Sequence, residues 1–180
     1  KWRGPHESGE FHSAEDRLAV MEAEDTWLSV NYPTLFLRWP LAGDPALNRA
    51  LTRSYNNWVA DISNQSPGRL KWVTVIDPSD PKEAAREMER TFAMGSVGVM
   101  VLGDYSTKSL DHEDLLPIWE TANDLGMPVN VHPGTGALDA AKAYPSVASD
   151  QFLMSVVRGY KSICSSGILD RYPNVKVSFL

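Results

Sequence analysis

The chain has 180 residues, 43% of them hydrophobic and 22% charged, ordinary proportions for a folded domain with enough apolar material for one core. Its 17 basic residues are outnumbered by 23 acidic ones, giving a net charge of −6, and they are scattered, which excludes a nucleic-acid face built on phosphate neutralisation. No apolar run approaches the ~20 residues that span a bilayer, no signal peptide is recognisable, and the single cysteine, Cys164, rules out an internal disulfide framework and fits a reducing cytoplasm.

Helix-like and strand-like segments alternate along the chain. "SAEDRLAVMEAED" (13–25) reads as a helix with Ser13 as N-cap and Asp16 in the reciprocal position. A strand "WLSVNYPT" (27–34) follows. The next helix, 44–62, opens on Asp44 and Pro45 and repeats Leu47, Leu51, Ser54, Trp58 and Ile62 on one face. Strand 70–76 leads to a helix over 80–95 with Asp80 as cap and Gly95 as its stop. Strand 96–102 leads to a helix over 111–126, with Leu115, Trp119 and Ala122 on one side. Strand 127–131 precedes a helix over about 150–171. Leu153, Val156, Val157, Tyr160, Ile163 and Cys164 share its expected core face, making Cys164 core filler rather than a reactive thiol. "NVKVSFL" (174–180) closes the series as a strand.

This order, α, then β-α four times, then β, predicts a parallel sheet with right-handed crossovers. The chain starts without methionine and stops inside an apolar strand-like run. The expectation is a single domain over residues 1–180 that is an internal fragment of a larger fold, since a buried strand end leaves backbone groups without partners.

Helix-to-strand connections are short ("GS", "GM", "YP"), whereas strand-to-helix connections are mostly long: "LFLRWPLAG", "GDYSTKSL" and "HPGTGALDAAKAYPSVAS". Long polar loops at the carboxyl ends of parallel strands are where α/β proteins place their chemistry. His132 stands there. In "PVNVH", Val129 and Val131 point to one face and Asn130 and His132 to the other. Local sequence leaves two readings open for His132: an inward imidazole offered to a divalent metal, or a core histidine bonded to a neighbour.

The other candidates read as ordinary surface or turn residues. His6 and His12 lack the spacing of paired ligands, and His112 lies in a solvated first turn. Asp104 reads as a turn residue more readily than as a substrate-loop carboxylate, and Asp77 and Asp80, each before a proline, read as turn and cap. "HPGTG" lacks the lysine and Ser/Thr of a phosphate loop, so a phosphate-binding module is a weak third reading. Arg38, Trp39 and Tyr105, on strand-to-helix loops, are more simply partly buried than substrate contacts.

Taken together, "DPALNRALTRSYNNWVAD", "PGRLKWVTVI", "SVGVMVLGD", "DHEDLLPIWETANDLGMPVNVHPGTG" and "GILDRYPNVKVSFL" resemble the middle of an amidohydrolase-2 family protein. That group is related to aminocarboxymuconate-semialdehyde decarboxylase and lies within the metal-dependent amidohydrolase superfamily. The resemblance covers about Arg17 to Leu180. It implies an α/β fold, a partial (β/α)8 TIM barrel of about five parallel strands with the first and last strands missing, since a whole barrel takes ~250 residues.

It further implies a mononuclear divalent metal, commonly zinc, and decarboxylation or hydrolysis of a small carboxylated or aromatic molecule. His132 in "VNVHPG" matches the family's mid-barrel histidine ligand. The family's His-x-His pair has no counterpart before His132, and its catalytic base and metal-binding aspartate would fall beyond Leu180, so the catalytic residues are unassigned and the fragment itself is expected to be inactive. The expected partners are a small-molecule substrate and, as an open option, further copies of the chain. Neither nucleic acid nor membrane is expected. The reading from another class is a barrel scaffold or binding protein that has lost its metal.

Overall fold

The computed structural model describes residues 11–37, 39–40, 42–105, 108–134 and 148–180, with side chains in the last stretch described from 153 onward. Helix α1 (Ala14–Ala23) is capped as its sequence predicts, with Asp16 N–H donating to Ser13 Oγ at 3.0 Å. Helix α2 (Pro45–Ser63) starts on Asp44 and α3 (Pro81–Ala93) on Asp80, each carboxylate accepting a first-turn N–H. Gly95, at φ +98°, follows the end of α3. Helix α4 (Leu116–Leu125) starts later than expected. A 3-10 turn (Glu113–Leu115) comes first, and His112 caps it by accepting the Asp114 N–H. The long helix expected near the carboxyl end is two, α5 (Ala148–Ser165) and α6 (Ile168–Arg171), divided at Gly167, whose φ of +73° ends the helical path.

The strands are shorter than the apolar runs that announce them. They are β1 (Ser29–Asn31), β2 (Leu70–Trp72), β3 (Thr74–Val75), β4 (Val99–Leu102), β7 (Val129–His132) and β8 (Val177–Phe179). A small antiparallel hairpin, β5 (Asp104–Tyr105) and β6 (Lys108–Ser109), stands in the stretch after β4 that reads as a loop by sequence. β2 and β3 are two halves of one strand that changes partner at Val73. The Val73 N–H reaches Asn31 O at 3.3 Å, and the next N–H, of Thr74, reaches Gly98 O at 2.8 Å. All pairings outside the hairpin are parallel, in the order β1 with β2, then β3, β4, β7, β8. This is the expected α/β architecture, and the barrel is not closed.

Side-chain alternation divides the sheet into two faces. Leu70 packs with Met21 and Ile62, and Trp72 with Val59 and Ala60, so these residues face the helices, as do Val99, Val101, Val129 and Val131 by register. The other parity, Val30, Tyr32, Val75, Met100, Leu102, Asn130, His132 and Ser178, faces inward.

Two helices depart from their expected orientation. On α2, Leu47, Leu51 and Trp58 are exposed, and the buried side carries Asn48, Thr52, Asn56 and Val59. The reason lies at Val75, which has no strand neighbour on the β1 side. Asn56 takes that place, donating to Val75 O at 2.9 Å and accepting from Val75 N at 3.0 Å. A buried backbone pair without partners costs more than exposed leucines. On α5, Leu153, Val157 and Tyr160 are exposed, while Ser155, Gly159 and Ile163 are buried. Cys164 is exposed as well, correcting its assignment to the core.

Candidate functional site

The inner face at the carboxyl ends of the strands brings His132 and Tyr32 together. His132 is half-buried at the last position of β7, in register with Leu102 of β4. Its Nδ1 lies 2.8 Å from Pro133 O. A carbonyl only accepts, so Nδ1 is the donor, and in the neutral ring the lone pair is on Nε2, which has no hydrogen-bond partner among the described residues. A backbone carbonyl on one ring nitrogen is how metal-ligating histidines are usually oriented. The Tyr32 ring stands 6.3 Å from the His132 ring, centroid to centroid, at 43°. Burial raises the Tyr32 phenol above its ordinary value, keeping it a proton donor.

One position below His132, Asn130 is buried and fully engaged. It donates to Val99 O at 3.2 Å and accepts from Ser178 Oγ at 2.7 Å. This pair ties β4, β7 and β8 together beneath the imidazole.

The aromatic loop residues lie elsewhere. Trp39 Nε1 donates to Asp77 Oδ1 at 3.0 Å, and Trp39 meets Tyr105 edge-on at 5.4 Å. Tyr105 OH accepts the Leu102 N–H at 2.9 Å. Burial, with the charges of Asp77 and Asp104, holds the Tyr105 phenol above its ordinary value despite that hydrogen bond. The space between Phe36, Trp39, Val75, Met100 and Tyr105 is about 10 Å³, room for a single water at most, so this cluster is packing and not an open substrate cleft.

Asp77 is the turn residue expected, accepting the Ser79 N–H at 3.0 Å, and it is buried. Asp104 differs from its expected role. It is buried in the hairpin and ion-paired with Arg158 of α5. His12 is exposed and His112 is the cap already described. His6, Arg38, and Thr135 and Gly136 of "HPGTG" lie outside the described residues.

Among the described residues no three His, Cys, Asp or Glu side chains gather as a metal-binding group, so His132 is a single ligand-type donor. Its tautomer and inward position fit a metal. No described helix is long and apolar enough to cross a membrane. The approach of Tyr32 to His132 has no local sequence signal, although alternation from Val30 places Tyr32 on the inner face. The Asn130–Ser178 and Asp104–Arg158 pairs join residues 48 and 54 positions apart, beyond any local pattern.

A family model described as amidohydrolase matches residues 41–179. Gamma-resorcylate decarboxylase of a Polaromonas species is 28% identical over 162 residues, covering 83% of this chain and 48% of that protein. An amidohydrolase of Mycobacterium avium subsp. paratuberculosis superposes with a TM-score of 0.81 at 21% identity, covering 97% of this chain and 49% of the other. A 5-carboxyvanillate decarboxylase of Novosphingobium aromaticivorans, solved with manganese and 3-methoxy-4-hydroxy-5-nitrobenzoic acid, superposes with a TM-score of 0.78 at 22% identity, covering 91% and 48%. The chain spans about half the length of the curated relatives it matches.

Proposed function

Because the chain belongs to the amidohydrolase family, we propose that it is the middle portion of a divalent-metal-dependent enzyme that acts on a small carboxylated aromatic molecule, with His132 as a metal ligand. Decarboxylation is favoured over hydrolysis. A gamma-resorcylate decarboxylase is among the relatives, and a 5-carboxyvanillate decarboxylase shares the fold. The observation that carries the reading is the His132 imidazole, turned inward at a strand's carboxyl end with Nδ1 on Pro133 O and Nε2 without a partner among the described residues.

A divalent ion on Nε2 would act as a Lewis acid toward the oxygens of a bound acid. Beneath it, the Asn130–Ser178 pair of this chain fixes the floor of the site. Loss of CO2 leaves an electron pair on carbon that must take up a proton. Asp77 and Asp104 are not that proton's source in this reading, since Trp39 and Ser79 hold one and Arg158 the other. Zinc is the ion expected from imidazole ligation, with manganese, present in the 5-carboxyvanillate decarboxylase structure, as the alternative. A cytoplasmic setting and assembly as a homo-oligomer complete the proposal.

The test is metal content of the full-length protein purified with and without His132→Ala. About one equivalent in the parent and a loss of most of it in the variant is the expected result. Equal metal in both would remove His132 from the site, and a metal-free parent that releases no CO2 from dihydroxybenzoates would favour the scaffold reading.

A further inference from the structure

On the inner face, most polar groups near His132 are already committed. Both ends of the Asn130 amide are used, one by Val99 O and one by Ser178 Oγ. The Tyr105 hydroxyl is buried against the Leu102 N–H. The Tyr32 hydroxyl makes no hydrogen bond among the described residues, although the side chain is half-buried and packed against the main core. Its position is also unusual. β1 and β7 are separated by the β2/β3 strand and β4, three strand spacings, or roughly 14 Å across a flat sheet. The two rings nevertheless lie 6.3 Å apart, so the curl of the sheet carries Tyr32 across to the imidazole. Met100 and Leu102, the inward residues of the intervening β4, are apolar and buried.

We propose that Tyr32 is a specificity-determining residue, its hydroxyl donating a hydrogen bond to the carboxylate of a ring-bearing acid bound against His132. The inference deepens the functional reading above and rests on it. A phenol is protonated at neutral pH, so it favours an acceptor oxygen over a cation. Two groups with no hydrogen-bond partner among the described residues, His132 Nε2 and the Tyr32 hydroxyl, carried on rings 6.3 Å apart, fit a flat molecule carrying a carboxylate at one edge. Replacing the hydroxyl with hydrogen leaves the ring packing in place and removes only the donor.

The experiment uses full-length protein and its Tyr32→Phe variant. Calorimetry measures Mn²⁺ binding first, then 2,6-dihydroxybenzoate and the carboxylate-free resorcinol on the Mn²⁺-loaded proteins. The expected result is an unchanged Kd for Mn²⁺, a Kd for 2,6-dihydroxybenzoate weakened about tenfold, as for one hydrogen bond to a charged group, and an unchanged Kd for resorcinol. Equal affinity of parent and variant for 2,6-dihydroxybenzoate overturns the inference and leaves the enzyme reading standing. An equal loss for resorcinol also overturns it, by removing the carboxylate as acceptor. A parent that binds neither Mn²⁺ nor the acid overturns the functional reading and this inference with it.

Discussion

Asn56 shows how one side chain can replace a strand. It is fully buried, satisfies both backbone groups of Val75 and donates to Glu87 Oε1 at 2.8 Å. Asn56→Ala removes all of these and orphans buried groups, so unfolding in urea is expected to show a loss of about 2–4 kcal/mol. A change under 0.5 kcal/mol would mean that β1 and β3 close the gap themselves. Glu87 gives a pH prediction. Burial by itself would raise its pKa, but hydrogen bonds from Arg90 and Asn56 and the charges of Arg90 and Arg53 outweigh it and hold the carboxyl below its ordinary value. A depressed folded pKa stabilises above the unfolded value, ~4.3, and that contribution is lost as pH falls through the folded value. Stability of the parent is therefore expected to drop more steeply below about pH 4.5 than that of Glu87→Gln. Superimposable acid limbs would refute this. Gly103 is tested differently. A Cβ there would run into the Ser155 carbonyl of α5, a backbone group that cannot swing aside, so Gly103→Ala is expected to destabilise by about 1–3 kcal/mol in the same urea assay.

At the scale of elements, α5 is the instructive case. Its apolar residues recur at helical spacing, yet Leu153, Val157 and Tyr160 face outward. The helix approaches the sheet so closely at Gly103 and Gly159 that only small side chains fit between them. Polar contacts then hold the loops. Ser155 Oγ accepts the Gly134 N–H at 3.0 Å, Arg158 pairs with Asp104, and Ser162 donates to Asp111 Oδ1 at 2.8 Å. Hydrophobic periodicity reports that a helix has a preferred face, and it cannot report which neighbour that face meets. If the orientation is right, Val157→Lys changes stability by less than about 0.5 kcal/mol, whereas Ile163→Ala, 2% exposed in the parent, costs about 2–4 kcal/mol. Thermal or urea unfolding of the two variants reads this directly, and a large loss from Val157→Lys with none from Ile163→Ala would reverse the assignment.

For the whole molecule, the alternation of helix and strand, the caps at Ser13, Asp44 and Asp80, and the inward parity of Asn130 and His132 were all legible in the chain. These depend on hydrogen bonds and side-chain directions set within a few residues. Tertiary structure alone decided that Tyr32 reaches His132, that Asn130 is locked by Ser178, and that α2 and α5 bury their small and polar sides. Each of these follows from the curl of the sheet and from how closely a helix can approach it. Such distances arise only when segments far apart in sequence pack together, and a sequence read one window at a time carries no record of them.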